Sequence, residues 1–135
     1  MFLDRLNDDE KVMFLDLAVY AAQTNGIVEE SEKKILMQYC KEMGVAFYDV
    51  SKLHSLDEVK EFFKERNEET KRIVILEILG LCYIDGEFDS VENAFAKDFA
   101  EDIHVDENAY KVLTRDIEEY VTILSIIQGH IASES

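Results

Sequence analysis

The feature that most constrains the fold of this chain is a repeat of a whole supersecondary unit. When the sequence is shifted by 60 residues, residues 7–45 align with residues 67–105 without a gap, and Asn25-Gly26 falls on Asp85-Gly86. Apolar residues coincide at more positions than chance gives. Each copy is an apolar run, a turn and a second amphipathic run, so the repeat predicts two helix-turn-helix units packed face to face as pseudo-symmetric halves. Five aligned residues are identical: Asn7, Lys11, Gly26, Glu32 and Val45.

Composition and capping signals favour helices throughout. The chain has no proline and only five glycines, which is typical of helices joined by short connections. Asn7 or Asp8, Ser55 (in Ser-x-x-Glu) and Asn67 are candidate N-caps. The run IVILEILGLCYI at 73–84 is rich in β-branched residues, but its aligned partner VMFLDLAVYAAQ is rich in alanine, so we expect a buried central helix. The predicted fold is all-α, a compact bundle of about six to seven helices in a single domain over residues 1–135.

Two further segments complete this prediction. Residues 44–54 have no helical periodicity, and Phe47 and Val50 are expected to point inward and anchor them. Gly80 is expected to permit a close helix contact. A last helix begins after Asp106 and runs towards Gln128, because apolar residues recur there on one stripe: Tyr110, Leu113, Ile117, Tyr120, Val121, Leu124 and Ile127.

The charge of the chain limits its partners. Asp and Glu number 30 against 14 Lys and Arg, a net charge of −16. Such a chain is not expected to bind nucleic acid or anionic lipid, and its charge suits a cation or a basic protein partner. The N-terminus is acidic, no apolar run reaches the length of a membrane span, and Cys40 and Cys82 form no Cys-x-x-Cys pair. We therefore expect a cytoplasmic protein with an unknown protein partner, as a monomer or a homodimer.

The acidic turn at 85–92 is a candidate cation site. Asp85, Asp89 and Glu92 surround it, and Asn25, Glu29 and Glu32 occupy the aligned places in the first copy. An EF-hand is excluded, because the loop that starts at Asp85 has Ser90 where glycine is needed and Ala96 where an acid is needed. Two interpretations remain open. The carboxylates bind a divalent cation such as Ca²⁺ or Mg²⁺, or Asp89 and Glu92 only cap the following helix and complement its dipole.

Enzymatic patterns are weaker. The pairs Glu58-x-x-Glu61 and Glu29-x-x-Glu32 suggest, as an alternative, an all-α carboxylate-dependent nucleotide hydrolase, but basic phosphate-binding neighbours are missing. A solvated helix face is the better explanation of Glu58 and Glu61, which continue with Glu65 and Glu68 at helical spacing. No nucleophile–histidine set and no glycine-rich phosphate loop is present. We expect no catalytic residues and no organic cofactor.

The doubled motif resembles the TerB-like family of tellurite-resistance proteins. In that family a buried apolar helix precedes [Asp/Asn]-Gly-x-hydrophobic-acid-x-x-Glu and a second helix, and here the matching stretches are YAAQTNGIVEESEKKIL and LCYIDGEFDSVENAFA. The resemblance spans about residues 8–105. It implies an all-helical fold with pseudo-symmetric halves and a non-enzymatic interaction module linked to tellurite-type and other stress resistance. It also implies an acidic face for divalent cations at Asp85, Asp89 and Glu92, with Glu29 and Glu32 in the first copy.

Overall fold

All regular secondary structure in the residues that the structure describes is helical. A computed structural model describes residues 2–24, 29–81, 83 and 90–133, with the backbone alone at 29–32 and 133. Within these ranges the chain forms two short 3₁₀ helices, six α-helices and no strand, so the predicted all-α class is confirmed. The 3₁₀ helices are Leu3–Arg5 and Val50–Lys52, and the α-helices are α1 (Asp8–Gln23), α2 (Glu29–Met43), α3 (Leu56–Lys64), α4 (Glu68–Leu81), α5 (Ser90–Asp102) and α6 (Glu107–Ser133).

Helices α1 and α4 begin at matching caps. Asn7 Oδ1 accepts a hydrogen bond from Glu10 N at 2.8 Å, and Glu10 Oε1 accepts one from Asn7 N at 2.9 Å. Asn67 Oδ1 likewise accepts one from Thr70 N at 2.8 Å. Such caps satisfy N–H groups that the first turn of a helix leaves unpaired. The predicted helix starts at Asn7 and Asn67 are therefore confirmed.

Helices α2 and α5 also end alike. Gly44 has a φ of 70° and His104 a φ of 65°, so the backbone passes through the left-handed region at the end of each helix. The valine that follows each of them donates its N–H to the carbonyl five residues earlier, at 2.8 Å in both places. This is the arrangement in which a left-handed residue closes a helix C-terminus. These matched ends are local features, and the pseudo-twofold relation of the two units stays a prediction.

The core lies around α1 and α4. Helix α1 packs against α2 and α3, and α4 packs against α5 and the first half of α6. Phe63 of α3 contacts Phe99 of α5 with ring centroids 6.2 Å apart. Helices α1 and α4 are buried over most of their length because each carries apolar residues on nearly all of its sides. Their most completely buried side chains are Phe14, Leu15, Leu17, Ile75, Ile78 and Leu79.

Three predictions about these segments need correction. Phe47 and Val50 do not anchor the connector, since they are 78% and 52% exposed. Tyr48 turns inward instead, because its hydroxyl reaches a buried carboxylate on α1. Gly80 is not needed for a close helix contact, as an added Cβ would lie 3.9 Å from Ile117 Cδ1, an ordinary contact distance. The last helix runs to Ser133, beyond the predicted Gln128.

The described helices include no candidate for a membrane span. None of these helices combines the length and the apolar character that crossing a bilayer requires.

Candidate functional site

The residues predicted to hold a cation lie mostly at the edges of the described structure. Asp85 and Asp89 fall outside the described residues, and Glu29 and Glu32 are described by their backbone alone, at the start of α2. Glu92 lies in the first turn of α5 and is 1% exposed. A carboxylate buried to that degree is held by partners inside the fold. The described residues contain no group of three or more His, Cys, Asp or Glu that could hold a metal ion, so this site stays a prediction.

A buried polar network joins α1 to the connector that precedes α3. Asp16 is 1% exposed in the middle of α1. The Tyr48 hydroxyl donates to Asp16 Oδ1, and His54 N donates to Asp16 Oδ2 at 3.2 Å. His54 Nδ1 lies 2.7 Å from the same Oδ2. One turn further along α1, the Tyr20 hydroxyl donates to the His54 carbonyl oxygen at 2.7 Å. Asp16 and Tyr20 thus fix both ends of the connector residues 48–54.

The chemistry of this network follows from burial. A carboxylate only accepts hydrogen bonds, so the 2.7 Å contact between His54 Nδ1 and Asp16 Oδ2 is a hydrogen bond in the tautomer that carries its proton on Nδ1. Burial, followed by the hydrogen bond to Asp16 and its charge, raises the pKa of Tyr48 above its ordinary value. Tyr48 is therefore a permanent donor at neutral pH. Three donated hydrogen bonds satisfy a carboxylate that would otherwise be costly to bury.

Catalysis of the triad type by this network would need a side-chain nucleophile. A carboxylate that holds a histidine Nδ1–H is the orienting half of a catalytic triad. His54 also lines a cleft, but the described residues that line this cleft include no Ser, Thr or Cys. The neighbouring Ser55 hydroxyl is used as the cap of α3, since it accepts from Glu58 N at 3.2 Å. What the arrangement does in the described structure is fix the connector against α1.

The cleft itself lies between α1 and α3 and has a volume of about 730 Å³. Its floor is apolar, and Phe62 of α3 carries the Arg66 guanidinium over its ring at 4.4 Å from the centroid. Its walls are acidic. The lining residues are Asp9, Val12, Met13, His54, Asp57, Glu58, Glu61, Phe62, Glu65 and Arg66.

Among the described residues that line the cleft, the five wall carboxylates stand against a single guanidinium, that of Arg66. Glu61 is paired only loosely, with its Oε1 3.9 Å from Lys64 Nζ, and its side chain is 71% exposed. Glu58 Oε1 accepts from Ser55 N at 3.2 Å, completing the predicted capping box at the start of α3. The backbone and side chain of Ser55 lower the pKa of Glu58, so this carboxyl is ionised at neutral pH. The cleft thus presents negative charge around an apolar and aromatic floor.

Sequence reasoning placed part of this site. The sequence offers Glu58 and Glu61 as a hydrolase pair or as a solvated face, and the structure places both at the cleft, with Glu58 engaged as a cap and Glu61 largely exposed. The Asp16–Tyr48–His54 network was missed. One signal could have found it, because an aspartate inside the apolar run MFLDLAVYAA must be buried with partners.

Comparisons with known proteins identify no relative of this chain. No family model, no curated protein and no solved structure matches the chain.

Proposed function

We propose that this chain is a non-enzymatic, TerB-like interaction module that binds a basic and partly apolar segment of a partner protein in the cleft between α1 and α3. The observation that carries the proposal is the combination of five carboxylates with an apolar floor in one cleft of about 730 Å³. Electrostatic complementarity selects a basic partner and speeds its approach, and apolar contacts supply most of the affinity. The cleft has room for a few side chains.

The floor of the cleft favours arginine and apolar side chains in the partner. Val12 is 40% exposed, and Met13 and Phe62 complete an adaptable apolar surface. Methionine and aromatic residues are enriched in the centres of protein interfaces. Arg66 stacks on Phe62 at 4.4 Å and shows how a guanidinium fits this ring. An incoming arginine would displace Arg66 from this ring or pair with the carboxylates beside it.

The nucleotide-hydrolase alternative has less support. It needs several carboxylates that converge on a metal-bound phosphate, with basic residues beside them. Glu58 is engaged as a helix cap and Glu61 is 71% exposed.

The test is a binding titration with a labelled peptide of alternating Arg and Leu, followed by fluorescence anisotropy. We expect saturable binding that weakens as salt rises, because part of the attraction is between exposed charges. Reversing two wall charges with Glu61→Lys and Glu65→Lys should weaken binding about tenfold or more. A peptide of alternating Glu and Leu should not bind.

The matched control reverses two exposed acids on α6, with Glu107→Lys and Glu119→Lys, which changes the net charge equally. If this control loses as much affinity as the cleft variant, the peptide responds to net charge alone and the cleft is not the binding site. Circular dichroism of each variant confirms that the helices are retained.

We propose separately that the acidic turns of the two repeated units bind a divalent cation. This proposal rests on the TerB-like resemblance and concerns Asp85, Asp89, Glu92, Glu29 and Glu32. Calorimetry with Ca²⁺, Mg²⁺ and Mn²⁺ tests it, and we expect heat with at least one ion that disappears in Asp85→Asn. The absence of heat and of any thermal shift with all three would leave these residues with a capping role.

A further inference from the structure

The second half of α6 is an apolar helix that the rest of the described fold does not cover. Helix α6 spans 27 residues, and its first half packs on α4 and α5. Tyr110 and Ile117 are buried there, at 8% and 2% exposure. Beyond Ile117 no side chain up to Ala132 is buried, and only Val121 is half-buried. We define residues 120–132 as the α6 tail.

The apolar spacing of α6 does not change where burial ends. Apolar residues alternate at intervals of three and four along the whole helix: Tyr110, Leu113, Ile117, Tyr120, Leu124, Ile127 and Ile131. This is the heptad pattern by which one helix packs along another. The first three residues of this seam face the body of the protein. The last four are 47%, 40%, 48% and 68% exposed, so the same seam continues without a partner in the described structure.

The charge of the tail differs from that of the whole chain. Residues 120–133 form the longest stretch of the sequence without Asp, Glu, Lys or Arg, in a chain of net charge −16. Two copies of the chain repel each other over most of their surface. Contact between two α6 tails avoids this electrostatic repulsion, because the tails carry no acidic residues. Because the tail is a helix, it extends roughly 20 Å, which is longer than the distance of about 8 Å over which salt screens charges.

We propose that the α6 tail is a self-association surface, and that its occupant is the α6 tail of a second copy of this chain in antiparallel orientation. Antiparallel pairing places the two acidic bodies at opposite ends of the paired helices, whereas parallel pairing would bring them side by side. The seam supplies helix-packing residues on both sides, and no charge has to be buried. Ile123, 56% exposed, widens the contact beside the seam.

The experiment is a mass measurement by light scattering and sedimentation over a range of protein concentrations. The monomer has a mass of 15.6 kDa, and we expect twice that mass at high concentration with dissociation on dilution. The seam variant Leu124→Asp with Ile127→Asp should have the monomer mass at every concentration. The matched control Thr122→Asp with Ser125→Asp adds the same charge on the opposite face of the tail and should keep the dimer.

Two further measurements make the result decisive. A chain truncated after Glu119 should be monomeric and should retain the helical circular dichroism of the body, since the tail does not cover the core. Neutral phosphatidylcholine vesicles test the other occupant of an uncharged apolar helix, a lipid surface. Monomer mass for the unaltered chain at all concentrations, a dimer that survives in the seam variant, or vesicle binding by a monomeric chain would each overturn the proposal.

Discussion

The two central helices, α1 and α4, start alike but carry their buried acids differently. Both begin at an asparagine cap and continue as apolar runs, and both contain one carboxylate within that run. The two acids do not occupy aligned positions, because a shift of 60 residues places Asp16 on Leu76 rather than on Glu77. Asp16 binds Tyr48 and His54 of the connector, and Glu77 Oε1 accepts from Phe2 N at 2.9 Å.

This difference separates what the repeat determines from what it does not. The segments held by the acids, the connector at 48–54 and the start of the chain, both lie outside the repeated ranges 7–45 and 67–105. Shared caps and apolar positions produce two similar helical units, and the two acids attach unique segments to them. The cleft between α1 and α3 depends on the first of these attachments, because His54 is both a partner of Asp16 and a lining residue.

The largest effect should come from removing these acids. Asp16→Ala leaves the Tyr48 hydroxyl and two His54 N–H groups without their acceptor, and we expect the free energy of unfolding to fall by about 3 kcal/mol. Glu77→Ala should cost about 1–2 kcal/mol, because Phe2 is 36% exposed and its N–H can reach water once the chain end detaches. Urea denaturation of both variants measures the difference. Equal decreases in the free energy of unfolding would show that the two acids contribute equally to stability.

A second comparison concerns the ends of α2 and α5. Gly44→Ala should lower the free energy of unfolding by about 1 kcal/mol, because alanine disfavours the left-handed region that Gly44 occupies. No atom of the described residues lies within 4 Å of the added Cβ, so the cost is conformational. Gly129→Ala in α6 is the control. It has equally open surroundings within a helix, and it should be neutral or slightly stabilising. Equal effects at the two sites would contradict this account of the α2 end.

The helical class and the helix starts could be predicted from the sequence because they depend on local physics. Asn7, Ser55 and Asn67 act within three residues of themselves, and glycine at position 44 marks a helix end by its own conformational freedom. The end of α5 shows where such local signals stop. His104 adopts the same left-handed conformation, which is uncommon for any residue other than glycine, and only the alignment with Gly44 suggests it.

The cleft and its network could be predicted only in part because they join residues far apart in the sequence. Asp16, Tyr48 and His54 meet through the packing of a connector that has no periodic pattern. Phe47 and Tyr48 are both aromatic, so apolar character alone could not tell which one faces inward. The deciding factor is the buried Asp16 carboxylate, which the Tyr48 hydroxyl satisfies and a phenylalanine cannot.

The asparagine caps provide a test of how similar the two central helices are. Asn7→Ala and Asn67→Ala should each lower the free energy of unfolding by about 1 kcal/mol, since each removes an acceptor for an N–H in the first turn. Asp8→Ala is the control, because Asp8 lies beside the cap and is exposed, and its effect should be clearly smaller. A large difference between the two asparagine variants would mean that only one helix start depends on its cap.

The smallest effect, and the most specific one, is expected at His104. Its φ of 65° costs a side-chain-bearing residue about 1 kcal/mol. His104→Gly should recover about 0.5 kcal/mol of this, because the greater conformational freedom of glycine in the unfolded state offsets the rest. His104→Ala keeps the Cβ that causes the strain and should bring no gain, which separates backbone relief from loss of the imidazole. If His104→Gly is less stable than His104→Ala, the Cβ causes no net strain at this position, and Gly44 and His104 share a conformation but not its energetic cost.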